Sequence, residues 1–173
     1  PTIHALAHLM IAISDNTASN MLIDAAGGLG AVNAVCRDLG ATRTVLGRKF
    51  LGRAARGGEA ETLTTAADLT TLLRALRDGR AAGEASCARM LALLRAQAHR
   101  ERLARCLPPA VAYAGKTGSL TGTALDAGFL FAPGGTLILA AIATDLPADY
   151  AADEPIGRLA LAAAETWGGI VAG

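Results

Sequence analysis

The chain has 173 residues, a net charge of +1, 52% hydrophobic residues and 3% aromatics. That is enough apolar material for one domain with a real core, and the alanine- and leucine-rich balance points to a helix-rich fold. The near-neutral charge excludes an electrostatic case for nucleic acid or an acidic membrane surface, and no run of about 18 uninterrupted apolar residues is present to span a bilayer.

In chain order, residues 3–13 place Leu6, Leu9, Met10 and Ile13 at helical spacing and stop at Ser14-Asp15-Asn16. A second helix is predicted from Thr17 to about Ala26, ended by Gly27-Gly28, and a third from Gly30 to about Leu39, closed by Gly40. Residues 42–63 read as one long surface loop, broken by glycines and studded with Arg48, Lys49, Arg53 and Arg56; loops of that length usually carry function. Thr65 caps a helix to about Asp78, and another runs from Glu84 to about Ala98. Arg95, Arg100, Arg102 and Arg105 lack interleaved aromatics and read as a solvated helix face.

After Pro108-Pro109 the pattern changes. Ala112 to Leu120 is strand-like, Leu125 to Ala132 and Thr136 to Thr144 follow, and Pro133-Gly134-Gly135 makes the last two a hairpin. A helix from about Pro155 to Trp167 ends the series. Within the first strand stands Lys116-Thr117-Gly118-Ser119, which offers an ammonium, hydroxyls and a bare glycine backbone in one line. A lysine beside a buried strand is costly without an anion against it, so this set suits a carboxylate.

Ser14-Asp15-Asn16 is explained by helix capping when taken alone, and Lys116-Thr117-Gly118 by a strand edge. Together, in this order, the pair matches the Ser-Asp-Asn and Lys-Thr-Gly motifs of serine enzymes that also carry Ser-x-x-Lys. Met10 to Asn20 with Leu22 and Gly27-Gly28, then Leu63 to Leu69, then Lys116 to Ser119 with the strands and the helix ending near Trp167, resemble class A β-lactamases and penicillin-binding proteins in a consistent order.

The resemblance implies an α/β (α+β) fold of the serine β-lactamase type, in which a helical lobe (about 1–107) packs beside an antiparallel sheet and terminal helix (about 108–173) within one catalytic domain, 1–173. It implies acyl-enzyme hydrolysis of β-lactam amides. The alternatives are a penicillin-binding peptidase or esterase, or a catalytically silent fragment. Ser14 would relay a proton to the leaving nitrogen, Asn16 would hold the substrate's side-chain amide, and Lys116 and Thr117 would bind its carboxylate. Gly118 would let the ligand approach the backbone, and the Ser119 N–H would serve an oxyanion hole. No cofactor and no metal are implied. The partner would be a small β-lactam or a peptidoglycan-like peptide, and the location periplasmic or secreted.

Two departures stand out. Lysines occur only at 49 and 116, and neither follows a serine by three, so Ser-x-x-Lys is missing. The chain therefore reads as the later part of a longer protein, expected alone to be marginally folded and to associate through an uncovered sheet edge. The family's deacylating glutamate should fall near Phe50 and its companion asparagine near Ala54; Glu59 and Glu61 are out of register. No arginine falls clearly where a second carboxylate anchor would sit, Arg158 being the candidate. His4 and His8 stand one helical turn apart, but Ala5 occupies the place of a metalloprotease glutamate. Gly28-Leu29-Gly30 follows a helix and reads as a cap, not a dinucleotide loop. Cys36, Cys87 and Cys106 cannot all pair, have no metal-type spacing, and read as mainly buried free thiols.

Overall fold

The structure is a computed structural model that describes residues 1–169. Its first helix, α1 (Ile3–Ile13), is capped by Thr2, whose hydroxyl accepts the Ala5 amide at 3.2 Å. It ends at Ser14, which sits in the left-handed region (φ 58°, ψ 37°) that non-glycine residues seldom adopt. Asp15 then caps α2 (Asn16–Ala25), its Oδ1 accepting the Ala18 amide at 2.7 Å. The triplet thus is the helix junction that its residue types predict. Gly27 and Gly28, at φ +97° and +89°, turn the chain into α3 (Leu29–Asp38).

The long loop that follows is irregular but tied down. Asn33 brackets Leu46, accepting its N–H at 2.7 Å and donating to its carbonyl at 3.1 Å. Asn20 does the same for Phe50, at 2.8 Å on both sides. Each amide supplies the loop backbone with the pair of bonds that a neighbouring strand would give. Asp68, buried in α4 (Ala66–Arg77), accepts the Arg43 amide and the Thr44 hydroxyl, both at 2.8 Å.

Helix α5 (Glu84–Arg95) stops short of the expected Ala98. The cause is tertiary: the Ala98 amide donates to Ala12 at the end of α1 at 3.0 Å, which draws the chain off the helical path. The arginine cluster also differs from the solvated helix face expected of it. Residues 96–107 form turns without regular helix. Arg95 lies over the Phe131 ring at 4.6 Å, Arg100 over the Tyr113 ring at 5.5 Å, and Arg102 is only 2% exposed. The aromatic partners come from the strands, out of reach of a local reading.

Strands β1 (Ala112–Leu120), β2 (Thr123–Ala132) and β3 (Gly135–Ala143) form an antiparallel sheet in that order. A 3-10 turn (Asp149–Ala152) leads into α6 (Asp153–Trp167). Alternation along the strands separates two cores. On one face Ala114, Ala127 and Phe129 pack with Leu73 of α4 and Leu94 of α5. On the other, Tyr113, Ala124 and Leu130 pack with Leu103 and with Ile156, Ala160 and Ala164 of α6. Gly115 and Gly128 are register partners, and a Cβ on either would strike Tyr113 and neighbouring backbone. Their bare backbones let the Tyr113 ring lie along the sheet. The three cysteines are free; Cys87 is buried, and Cys36 and Cys106 are half-buried, short of the deeper burial expected. Among the described residues no helix is long and apolar enough to cross a membrane.

Candidate active site

β1 is an edge strand that packs against α5. Register pairs Lys116 with Ala127, on the same face as Ala114, so its side chain leaves the sheet toward α1 and α2. The ammonium donates to Ser14 Oγ and to the Thr117 carbonyl, the latter at 2.6 Å. The bond to Ser14 joins the lobe to the sheet across 102 residues of chain. Ser14 can meet it because α1 ends there in a left-handed turn that holds the hydroxyl out, exposed. Burial, and the nearby Arg102 charge, hold the Lys116 ammonium below its ordinary titration range; Asp126 and Glu101 oppose that shift without reversing it.

Thr117 and Ser119 alternate onto the other face, with Tyr113. Thr117 is buried and pairs in register with Asp126. The β1–β2 turn has two residues, Thr121 and Gly122, closed by the pair Leu120 and Thr123. In such a hairpin the closing pair is hydrogen-bonded and the next one is not, so the main-chain groups of Ser119 and Thr117 point off the free edge. Gly118 faces the Leu125 side chain, where an added Cβ would lie 3.1 Å from Cγ.

Beneath this strand lies a buried cation where the residue pattern predicts a solvated face. Arg102 donates from Nη2 to Ser119 Oγ at 2.7 Å, from Nη1 to the Gly118 and Leu125 carbonyls at 2.8 and 3.1 Å, and from Nε to Asp153 at 3.0 Å. Arg158, the earlier candidate for a second anchor, instead pairs with Glu154 on the exposed side of α6. It lines a charged surface hollow of about 720 Å³ with Arg105 and Tyr150, a hollow that includes neither Ser14 nor Lys116. Asp126, 0% exposed, accepts the Tyr113 hydroxyl at 2.6 Å and the Leu103 amide at 2.9 Å. Burial raises its carboxyl above the usual range, and burial with the adjacent Asp126 charge pushes the Tyr113 phenol up, so tyrosine is the donor.

On the lobe side Asn16 opens α2 and is exposed. Gly52, at φ +68°, passes so close that a Cβ there would lie 3.5 Å from Asn16 Nδ2. Phe50 is clasped by Asn20, one turn further along α2, so the loop runs past α2 with Gly52 against Asn16 and the Phe50 backbone against Asn20. Glu59 does not reach in. Arg53 donates two hydrogen bonds to it, at 2.7 and 2.8 Å, and that contact, with the Arg56 amide, lowers its carboxyl to about 2. His4 and His8 lie exposed on α1. Among the described residues no three His, Cys, Asp or Glu side chains gather as a metal site.

A family model described as the beta-lactamase enzyme family matches residues 1–167. The chain belongs to the beta-lactamase enzyme family. Among solved structures it is similar to the beta-lactamase from Sphaerobacter thermophilus, at 42% identity and a TM-score of 0.95 over 100% of this chain and 66% of that one. An ancestral class A beta-lactamase is similar at 31% identity and TM-score 0.86, over 96% of this chain and 66% of that one. So is PBP-A, at 29% identity and TM-score 0.80, over 92% and 59%. The chain thus spans just under two thirds of the length of the first two relatives. A comparison with curated proteins finds no match. The α+β fold expected from the motifs is that of this family, with Ser14-Asp15-Asn16 and Lys116-Thr117-Gly118 drawn together across the lobe–sheet boundary.

Proposed function

We propose that this chain provides the proton-relay and carboxylate-binding part of a serine hydrolase that forms an acyl-enzyme with a β-lactam amide. A Ser-x-x-Lys nucleophile would come from sequence outside these residues. The observation that carries the reading is the Lys116–Ser14 hydrogen bond between the end of α1 and β1. Ser14 gives its proton to the lactam nitrogen as the C–N bond breaks, and Lys116, held low in its titration, replaces that proton. The substrate carboxylate sits against Lys116 and the open edge at Thr117, where Gly118 adds no bulk. Arg102 supplies a second positive charge under the same strand. Asn16 takes the side-chain amide of the substrate, and the Ser119 N–H faces the developing oxyanion. Enzymes of this chemistry meet their substrates in the periplasm or outside the cell, where we place this one.

A second reading, a penicillin-binding peptidase, is favoured by Phe50. Asn20 holds the Phe50 backbone, and the Phe50 side chain, 40% exposed, is apolar where the family's carboxylate is expected. Without a base to activate water, the acyl-enzyme persists; a positioned general base is worth about a hundredfold to ten-thousandfold. The test is intact mass after mixing the protein, with its upstream sequence, with benzylpenicillin. A stable gain of the whole drug is expected, formed more slowly by Ser14→Ala or Lys116→Ala. Free enzyme with penicillin consumed over many turnovers would overturn the slow-deacylation part. No adduct and no turnover would overturn the β-lactam reading itself.

A further inference from the structure

We propose that Ser14 and Lys116 form a serine–lysine dyad that is acylated in its own right, so that this chain attacks activated esters and phosphonyl fluorides at Ser14 with no other nucleophile. This goes beyond the proton-relay role above and does not depend on it.

Four observations meet at this pair. Lys116 Nζ donates to Ser14 Oγ, and across the same contact the neutral amine can take the hydroxyl proton. Ser14 is exposed and holds a left-handed backbone conformation. Strained backbone of this kind clusters at reactive sites. Lys116 makes no ion pair among the described residues; its partners are a hydroxyl and a carbonyl. The charged groups around it are Asp126 from β2, and Arg102 and Glu101 from the segment before β1. Asp126 is already engaged by Tyr113 and Leu103, Glu101 lies 3.7 Å from His99, and Arg102 is held by Ser119 and Asp153, so among the described residues no carboxylate bonds directly to Lys116. Finally, the Thr117 and Ser119 amides stand off the free edge of β1 as donors for an oxyanion, by the hairpin geometry given above.

The step balances within the dyad and the reagent. Ser14 Oγ forms a bond to the carbonyl carbon of p-nitrophenyl acetate while its proton passes to Lys116 Nζ. The tetrahedral centre expels nitrophenolate and leaves acetyl-Ser14, which water hydrolyses to acetate, regenerating the hydroxyl. With a fluorophosphonate, the Oγ–P bond forms as fluoride leaves, and the adduct stays.

The test first establishes cooperative urea unfolding of the chain by circular dichroism, then treats the folded chain with a fluorophosphonate and reads peptide mass. A single adduct on Ser14 is expected, lost in concentrated urea and absent in Ser14→Ala. Lys116→Arg keeps the charge but removes the base, and should slow labelling by about a hundredfold or more. Because lysine occurs only at 49 and 116, selective 13Cε-lysine labelling resolves both. The labelling rate should rise with pH in step with the Lys116 signal. No adduct at Ser14 would overturn the proposal. So would one that forms as fast in Lys116→Arg, or that survives in urea. The penicillin experiment reads a different serine and can fail or succeed separately.

Discussion

On the α6 side of the sheet, the buried polar groups close on one another: Tyr113 and the Leu103 amide donate to Asp126, and Arg102 donates to Asp153, Ser119 and two strand carbonyls. On the lobe side, one strand position away, Lys116 has only a hydroxyl and a carbonyl, and Ser14 holds a backbone conformation that costs energy. The first arrangement stabilises; the second leaves capacity for a ligand. A strand two faces wide can thus be anchored by one side and reactive on the other, since alternation keeps the two sets of side chains apart.

Substitutions should therefore act with opposite sign on the two faces. Asp126→Ala strands a buried hydroxyl and a buried amide, and should lower unfolding free energy by about 3 kcal/mol in urea titration. Arg102→Lys keeps the charge but loses the planar fork, and should lose about 2 kcal/mol by the same measurement, because one ammonium cannot meet acceptors on three segments. On the reactive side the direction reverses. Ser14→Gly removes the left-handed penalty and should raise stability by about 1 kcal/mol while ending Ser14 chemistry, read by thermal melting beside fluorophosphonate labelling. A loss of stability there would mean that the Lys116 bond outweighs the backbone strain.

The smallest effect belongs to the loop. Glu59 titrates at about 2 in the folded chain against an ordinary 4.5, so its contribution is present above the ordinary value and lost as pH falls through the folded one. The Arg56 amide, which it accepts at 3.0 Å, should shift between pH 5 and pH 2 in NMR spectra while Asn20 and Phe50 resonances hold still. Movement of both together would show that the Arg53–Glu59 contact also supports the Phe50 end.

The strands were legible in the sequence because their signals are local: Ala112–Leu120 is bounded as the residue pattern predicts, and Pro133-Gly134-Gly135 marks the hairpin between β2 and β3. The helix junction at Ser14 was legible for the same reason, since Asp15 caps α2 with a bond three residues long. Arg102 was not. Its acceptors lie 16, 17, 23 and 51 residues away, so nothing near it distinguishes a buried guanidinium from its solvated neighbours Arg100 and Arg105. The end of α5 failed likewise, because a carbonyl of α1 captures the Ala98 amide. Asn20 carried no signal beyond its place in the Ser14-to-Asn20 resemblance, yet it sets the loop that frames Asn16.

That clasp between Asn20 and residue 50 uses only the backbone of residue 50. The side chain there is a replaceable fitting in a fixed socket: changing it alters what the loop presents while the bonds that hold the loop remain. A position built this way lets a lineage exchange one chemistry for another in a single substitution, without first finding a new shape for the loop.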